Sequence, residues 1–378
     1  MPNVADMPGE GKKEYAKRPP GLNFSGETAK VTVAPQPAAA AAHSRRPVTP
    51  EPEAFCLESF ALNLEPSFNL LVILGPTASG KTRQGVAAAR LLDGEIISAD
   101  SRQVFRGMDL GTGKDLVEYG EVPHHLIDIA APGEEFNVFV FQRRFFEAFT
   151  EIQGRGRLPV LVGGTGLYLD AVLKGYHLVE VPENPALRAE LADFSLQELS
   201  ERLRRQRPQQ HNTTDLLDRS RLVRAIEIAE GEVTAGAELP PLPVLRPLVF
   251  GLRWERAELR RRISARLKER LDQGLIDEVA QLHAGGVAWE RLEFYGLEYR
   301  FVARHLKGEL GRNDMVQKLE SAIHDFAKRQ ETWFRRMERQ GIEIHWLEGA
   351  GAPLQELLEI IRTQDGQPEV APQSPGER

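Results

Sequence analysis

The chain has 378 residues, 41% of them hydrophobic and 27% charged, with a formal net charge of −7. That composition is typical of a soluble globular protein of about two to three domains. The acidic balance excludes a uniformly basic nucleic-acid binder but leaves room for a local basic face. No apolar run reaches the roughly 18 residues of a transmembrane helix, and the N-terminus lacks the apolar core of a secretion signal. Cys56, the single cysteine, cannot form an internal disulfide. The expectation is a cytoplasmic protein with no membrane partner.

Residues 1–66 read as a Pro/Ala-rich tail, with "VAPQPAAAAAHSRRPVTPEPE" showing neither helical nor strand period. Such a segment cannot bury enough apolar surface to offset its ordering entropy. An α/β core is expected from 67 to 182. "NLLVILG" (69–75) is a short apolar strand, followed by a helix over about 81–92. "GEIISAD" (94–100), "HHLIDI" (124–129) and "LPVLVGG" (158–164) are three more strands. Helices are expected within 137–156, stopping near Gly154, and over 165–175. Strands alternating with helices imply a parallel sheet covered on both faces. Residues 183–247 then read as an all-helical insert closed by Pro-rich "ELPPLPVLRP". "LVFGLRW" (248–254) returns to the sheet, and 248–350 completes the core with helices at about 256–284 and 314–340. Between these two helices, "GGVAWERLEFYGLEYR" reads as irregular. One more helix (353–363) precedes a weakly ordered end within 351–378.

"GPTASGKT" (75–82) carries the G-x-x-x-x-G-K-T pattern of a phosphate-binding loop. A glycine-rich turn between strand and helix aims backbone N–H groups at one point, and the helix N-terminus adds partial positive charge. Lys81 can reach a terminal phosphate and Thr82 can ligate Mg²⁺. A hydrolysing NTPase needs a second acid after a hydrophobic strand, yet "LPVLVGG" ends in glycines. Asp100, at the end of "EIISAD", lies on the ligand edge of a parallel sheet. It suits a metal organiser, a general base, or a turn cap. In "VGGTGLY" (162–168), Gly163 and Gly164 permit close backbone approach, and Thr165 offers a hydroxyl and a possible helix N-cap. His124 and His125 have no partner at metal-ligand spacing. Arginines cluster at 202–207, 219–224, 260–270 and 328–336; any one cluster is ordinarily a solvated helix face, but four in an acidic chain suggest a polyanion.

Taken together and in this order, "GPTASGKT", "DSRQVFRGMDLGTGK" (100–114), "HHLIDI", "GGTGLY" (163–168) and "AKRQETWFRR" (327–336) resemble the tRNA dimethylallyltransferase (tRNA isopentenyltransferase) family over roughly 69–348. The resemblance implies a P-loop NTPase-like parallel sheet flanked by helices, with the helical insert gripping tRNA. It implies that Gly75, Pro76, Thr77, Ala78, Ser79, Gly80, Lys81 and Thr82 hold dimethylallyl diphosphate and its Mg²⁺, with no ATP consumed. The prenyl group would go to N6 of adenine 37, in the anticodon stem-loop of tRNAs reading codons that begin with U. Asp100 resembles the general base, Thr77 the threonine beside the reacting centre, and Arg262 an arginine that clamps the diphosphate. Asp100, Ser101, Arg102, Gln103, Thr165, Arg188, Arg221 and Arg224 fall where the family contacts tRNA. A monomer is expected.

One departure stands out. The family carries a Gly-Tyr-Lys or Gly-Tyr-Arg step before a helix, whereas this chain reads "FYGLEYR" (294–300), with Glu298 before Tyr299. Glu298 reads as replacing the step's glycine, and Tyr299 and Arg300 are left out of the site. The rival readings are a small-molecule kinase, which requires ATP turnover, and a nucleotide-gated RNA-binding protein, for which Asp100 would be dispensable.

Overall fold

The computed structural model describes residues 67–176, 178, 181–206, 218–235 and 241–364. Residues 1–66 and 365–378 of the expected tails, Cys56 and Arg207 lie outside the described residues. Six strands form one all-parallel sheet in the order β3-β2-β4-β1-β5-β6. They are β1 (Leu70–Leu74), β2 (Gly94–Ala99), β3 (His124–His125), β4 (Leu158–Gly163), β5 (Pro247–Arg253) and β6 (His345–Glu348). β1 is buried throughout, and its alternation sorts two cores. Leu70, Val72 and Leu74 face α2 (Val138–Gly154), α3 (Gly166–Leu173) and α11 (Arg312–Arg339), while Leu71 and Ile73 face α1 (Lys81–Leu91) and α12 (Pro353–Gln364). α2 packs through Phe141, Phe145 and Phe149, one turn apart on one face; each such buried ring contributes about 1.5–3 kcal/mol.

Three expectations are corrected. "HHLIDI" pairs only through His124 and His125, because Leu126 and Asp128 take positive φ values of 63° and 55° and turn the chain out of the ladder. The single helix expected over 256–284 is α7 (Arg256–Asp272) and α8 (Leu275–Ala284), broken at Gly274, whose φ of 103° only glycine adopts readily. The stretch read as irregular holds α9 (Trp289–Phe294) and the start of α10 (Leu297–Leu306). β6 is an addition; its four residues are too few for a period to show.

Helices α7 to α11 build a third apolar cluster with Val104, Phe105 and Met108 from the loop after β2. The insert contributes α4 (Pro185–Glu190), α5 (Leu196–Gln206) and α6 (Arg219–Ala235). It has its own small core of Leu187, Leu191, Leu199, Leu203, Leu222 and Ile226. Among the described residues, no helix is long and apolar enough to cross a membrane.

Candidate active site

The register sets three loops side by side. Leu74 and Ala99 both pair with Gly163, so Gly75, Asp100 and Gly164 leave the carboxy edge of the sheet level with one another. That edge is where parallel sheets bind ligands. In the first loop Ala78 and Gly80 take φ values of 61° and 86°. These left-handed turns, followed directly by the N-terminus of α1, make an anion cradle. Ser79 Oγ is buried there with no hydrogen-bond partner. Lys81 Nζ reaches back to the Pro76 carbonyl at 3.3 Å. Its pKa is pushed down to about 8, first by burial and then by Arg266 nearby.

The loop is held from the C-terminal half. Arg262 Nε donates to the Ala78 carbonyl at 2.9 Å, and its guanidinium lies 4.1 Å above the Trp254 ring. Trp254 Nε1 donates to the Ser79 carbonyl at 2.9 Å. Gln330 of α11 bridges two loops: its Oε1 accepts from Thr77 N at 2.8 Å, and its Nε2 donates to the Gly164 carbonyl at 2.9 Å. Gly164 is glycine of necessity, since a Cβ there would fall 2.5 Å from Gln330 Nε2 and 2.9 Å from the Gly75 carbonyl oxygen.

Asp100 occupies the turn between the loops. Its Oδ1 accepts from Arg102 N at 2.8 Å and from Gln103 N at 3.4 Å. Asp100 is therefore a turn cap through Oδ1. Thr165 stands at the N-cap position of α3 without capping it; its hydroxyl accepts from Ser101 N at 3.2 Å and ties the second loop to the third. Arg102 packs 5.3 Å from the Phe294 ring, and burial pulls its pKa below the ordinary guanidinium value. Gln103 is buried with both ends of its amide engaged, Oε1 accepting from Ser98 Oγ and Nε2 donating to the Gly113 carbonyl. Its place is inside the loop, where it holds the turn's shape.

The insert arginines divide into two sets. Arg188 forms a bidentate pair with buried Glu227 at 2.7 and 3.1 Å. Arg224 bonds Glu227 and the Val181 carbonyl, and Arg202 bridges Glu190 and Glu230. These guanidiniums brace the small helical core. Arg204 and Arg205 stand exposed at the end of α5, and Arg221 is 60% exposed beside Asp218.

Sequence reasoning missed Trp254, Arg266, Arg270 and Gln330. Arg266 and Arg270 follow Arg262 at intervals of four, which puts all three on one face of α7. Gln330 is the only polar member of the buried stripe Met315, Leu319, Ile323, Ala327, Gln330, Phe334, Met337 along α11. A lone polar residue at a core position is the signal that could have found it. Tyr299, left out of the site, is structural. Its hydroxyl donates to Glu278 at 2.7 Å, and Glu278 also accepts from the amides of Asp109, Leu110 and Gly111. Gly296 stands at φ 141° directly before α10, with Glu298 in that helix's first turn.

A P-loop NTPase-like sheet, a cradle suited to phosphate and a carboxylate beside it are the features of a P-loop-type transferase. The chain belongs to the IPP transferase family, whose model matches residues 103–337, and is a prenyltransferase. It is 73% identical over 293 residues to tRNA dimethylallyltransferase 2 of Syntrophotalea carbinolica, covering 78% of this chain and 98% of that one. It is 69% identical over 296 residues to tRNA dimethylallyltransferase 1 of Geotalea uraniireducens, with 78% and 98% covered. The solved full-length tRNA isopentenylpyrophosphate transferase of Bacillus halodurans superposes with a TM-score of 0.58 at 33% identity, covering 79% of this chain and 96% of that one.

Proposed function

We propose that this chain transfers the dimethylallyl group of dimethylallyl diphosphate to N6 of adenine 37 in tRNAs reading codons that begin with U, releasing diphosphate. The observation that carries the reading is the bridge through Gln330, which fixes the phosphate cradle and the Gly164 loop at a set separation beside Asp100. The diphosphate would lie on the amides of 75–82, with Lys81 and Arg262 beside the charge that builds as it leaves. Fixed donors aimed at developing charge are an effective catalytic device. The adenine must leave its stack to bring N6 to the allylic carbon. Asp100 then accepts the N6 proton, and Thr77 sits beside the reacting centre. Holding donor and base in line supplies much of the remaining acceleration.

Mg²⁺ fits the donors present. Among the described residues, no group of three His, Cys, Asp or Glu could hold an ion alone. A metal here would be carried by the diphosphate and met by the Thr82 hydroxyl, as the sequence pattern suggests. It would neutralise leaving-group charge. For tRNA, Ser101, Arg102 and Thr165 border the base site, while Arg221, Arg204 and Arg205 would carry the long-range attraction of the insert. Arg188 and Arg224 offer only the edges that Glu227 leaves open. The protein would work as a cytoplasmic monomer.

The test is to incubate the full chain with unmodified tRNA and labelled dimethylallyl diphosphate, with ATP withheld. Label is expected in the tRNA, undiminished by the absence of ATP. Strict ATP dependence, with phosphate released in step with product, would return the chain to the kinase-like class. The salt dependence of tRNA binding should flatten by roughly one logarithmic unit for each phosphate deprived of its arginine; an Arg221→Ala variant with wild-type slope would remove the insert from the reading.

A further inference from the structure

Arg270 is only 7% exposed, yet its Nη2 makes no hydrogen bond. The nearest acid, Asp115, lies 3.6 Å from it and is held at 3.1 Å by Arg266 instead. The guanidinium lines a recess with Thr77 and Ala78 of the phosphate loop, with Ile263 and Leu267 of α7, and with Glu298. Both guanidiniums pack against Gly113: a Cβ there would fall 1.9 Å from Arg270 Nη2 and 2.2 Å from Arg266 Nη2, so a side chain at that position would displace them.

We infer that Arg270 is a further diphosphate-binding residue, and that Glu298 beside it opposes that binding. The inference rests on the transferase reading above for the identity of the anion. A buried cation with an unmade hydrogen bond is costly until an acceptor arrives. Three cations crowd this corner, and the crowding is visible in their protonation. Burial and Arg266 lower both Lys81 and Arg270, the latter to about 10. A diphosphate on the loop supplies the acceptor that Arg270 lacks and a counter-charge to all three. Glu298 lines the same recess with the opposite charge: burial raises its pKa, with Arg270 and Arg266 attracting its anionic form and Asp100 opposing it. Its charge offsets the crowded cations in the empty site and competes with the incoming diphosphate.

The two residues therefore act with opposite sign, which loss of structure cannot imitate. Calorimetric titration of the full chain with inorganic pyrophosphate and Mg²⁺ should give about tenfold weaker binding for Arg270→Met. Glu298→Gln should bind about threefold tighter or more. The double variant Arg270→Met, Glu298→Lys should return to within about threefold of wild type. In transfer kinetics Arg270→Met should raise KM for dimethylallyl diphosphate and leave the Kd for tRNA unchanged. Pyrophosphate affinity within twofold of wild type in Arg270→Met overturns the inference, as does weaker binding in Glu298→Gln. A wild-type protein that binds pyrophosphate but prenylates no tRNA overturns the transferase reading alone. An active wild type with Arg270→Met unchanged overturns the Arg270 assignment alone.

Discussion

Strand β2 has a charged cluster at each end, and the two are built on opposite plans. At its start, Glu95 is buried, and its carboxylate accepts from Arg155 at 3.0 and 2.7 Å, from Arg157 at 3.4 Å, and meets His125 at 2.7 Å. Burial alone would raise its pKa, but these partners outweigh burial and hold it down to about 2. Just past its end, Asp100 faces a corner where Lys81, Arg262, Arg266 and Arg270 converge, and there an arginine nitrogen and the Ser79 hydroxyl lack partners. The first cluster is complete without a ligand and serves the fold. The second leaves Ser79 Oγ and Arg270 Nη2 without partners, as suits a place for an anion. Incomplete electrostatics at buried positions separate a site from a brace more sharply than charge density does.

Four experiments would break or sharpen that contrast. The largest effect is expected from Asp100→Asn, which keeps the turn-capping oxygen but removes the proton acceptor. Turnover should fall by about 10²–10⁴-fold, with tRNA binding little changed; turnover within a few-fold of wild type would make Asp100 a cap and nothing more. Lys81→Met should raise the barrier by roughly 2.7–4 kcal/mol, like loss of other preorganised donors. Because burial and Arg266 already disfavour its charge, this variant should melt no lower than wild type, which differential scanning calorimetry checks. Glu95→Gln should do the reverse, costing about 1–3 kcal/mol of stability through weakened charged hydrogen bonds while transfer proceeds at the wild-type rate. Its folded pKa lies below the ordinary value. The contribution of Glu95 is therefore full above pH ~4.5 and is lost as the pH falls toward 2, so the variant's deficit should shrink in acid-unfolding curves over that window. The smallest effect concerns pH at the ligand edge. Lys81 would bind diphosphate as the cation, and burial followed by Arg266 pushes its pKa down to about 8. Pyrophosphate affinity should be flat below that pH and then weaken by at most about tenfold per unit; a flat profile to pH 10 would leave Lys81 outside the anion site.

The contrast also explains what the sequence could and could not disclose. The cradle, Asp100 and Gly164 were legible because each sits at the end of an apolar strand, where local pattern alone locates the sheet edge. The strand His124–His125 was overestimated because left-handed Leu126 and Asp128 leave no mark in hydrophobic alternation. Gln330 and Trp254 escaped because their meaning lies in partners far along the chain, and spacing within α11 or after β5 does not name a partner. The insert misled in another way: arginine counts do not distinguish Arg188, locked on Glu227, from exposed Arg221. Acids from three to 39 residues away decide which guanidinium faces solvent, and composition is blind to that.

The bridge from Gln330 to Thr77 spans 253 positions of sequence, which bears on how the protein comes into being. Contacts of such separation close late, after the loop-closure entropy of the intervening chain has been met. A nascent chain that has delivered both glycine motifs and Asp100 still lacks Trp254, Arg262 and the residue that sets the gap between its loops. The sheet sets the loops level, but the Gln330 bridge that fixes their gap closes only when α11 docks, so a half-made chain is expected to be inactive. For the same reason the protein is a candidate for splitting within the insert: two separately inert fragments would regain activity only on reassociation.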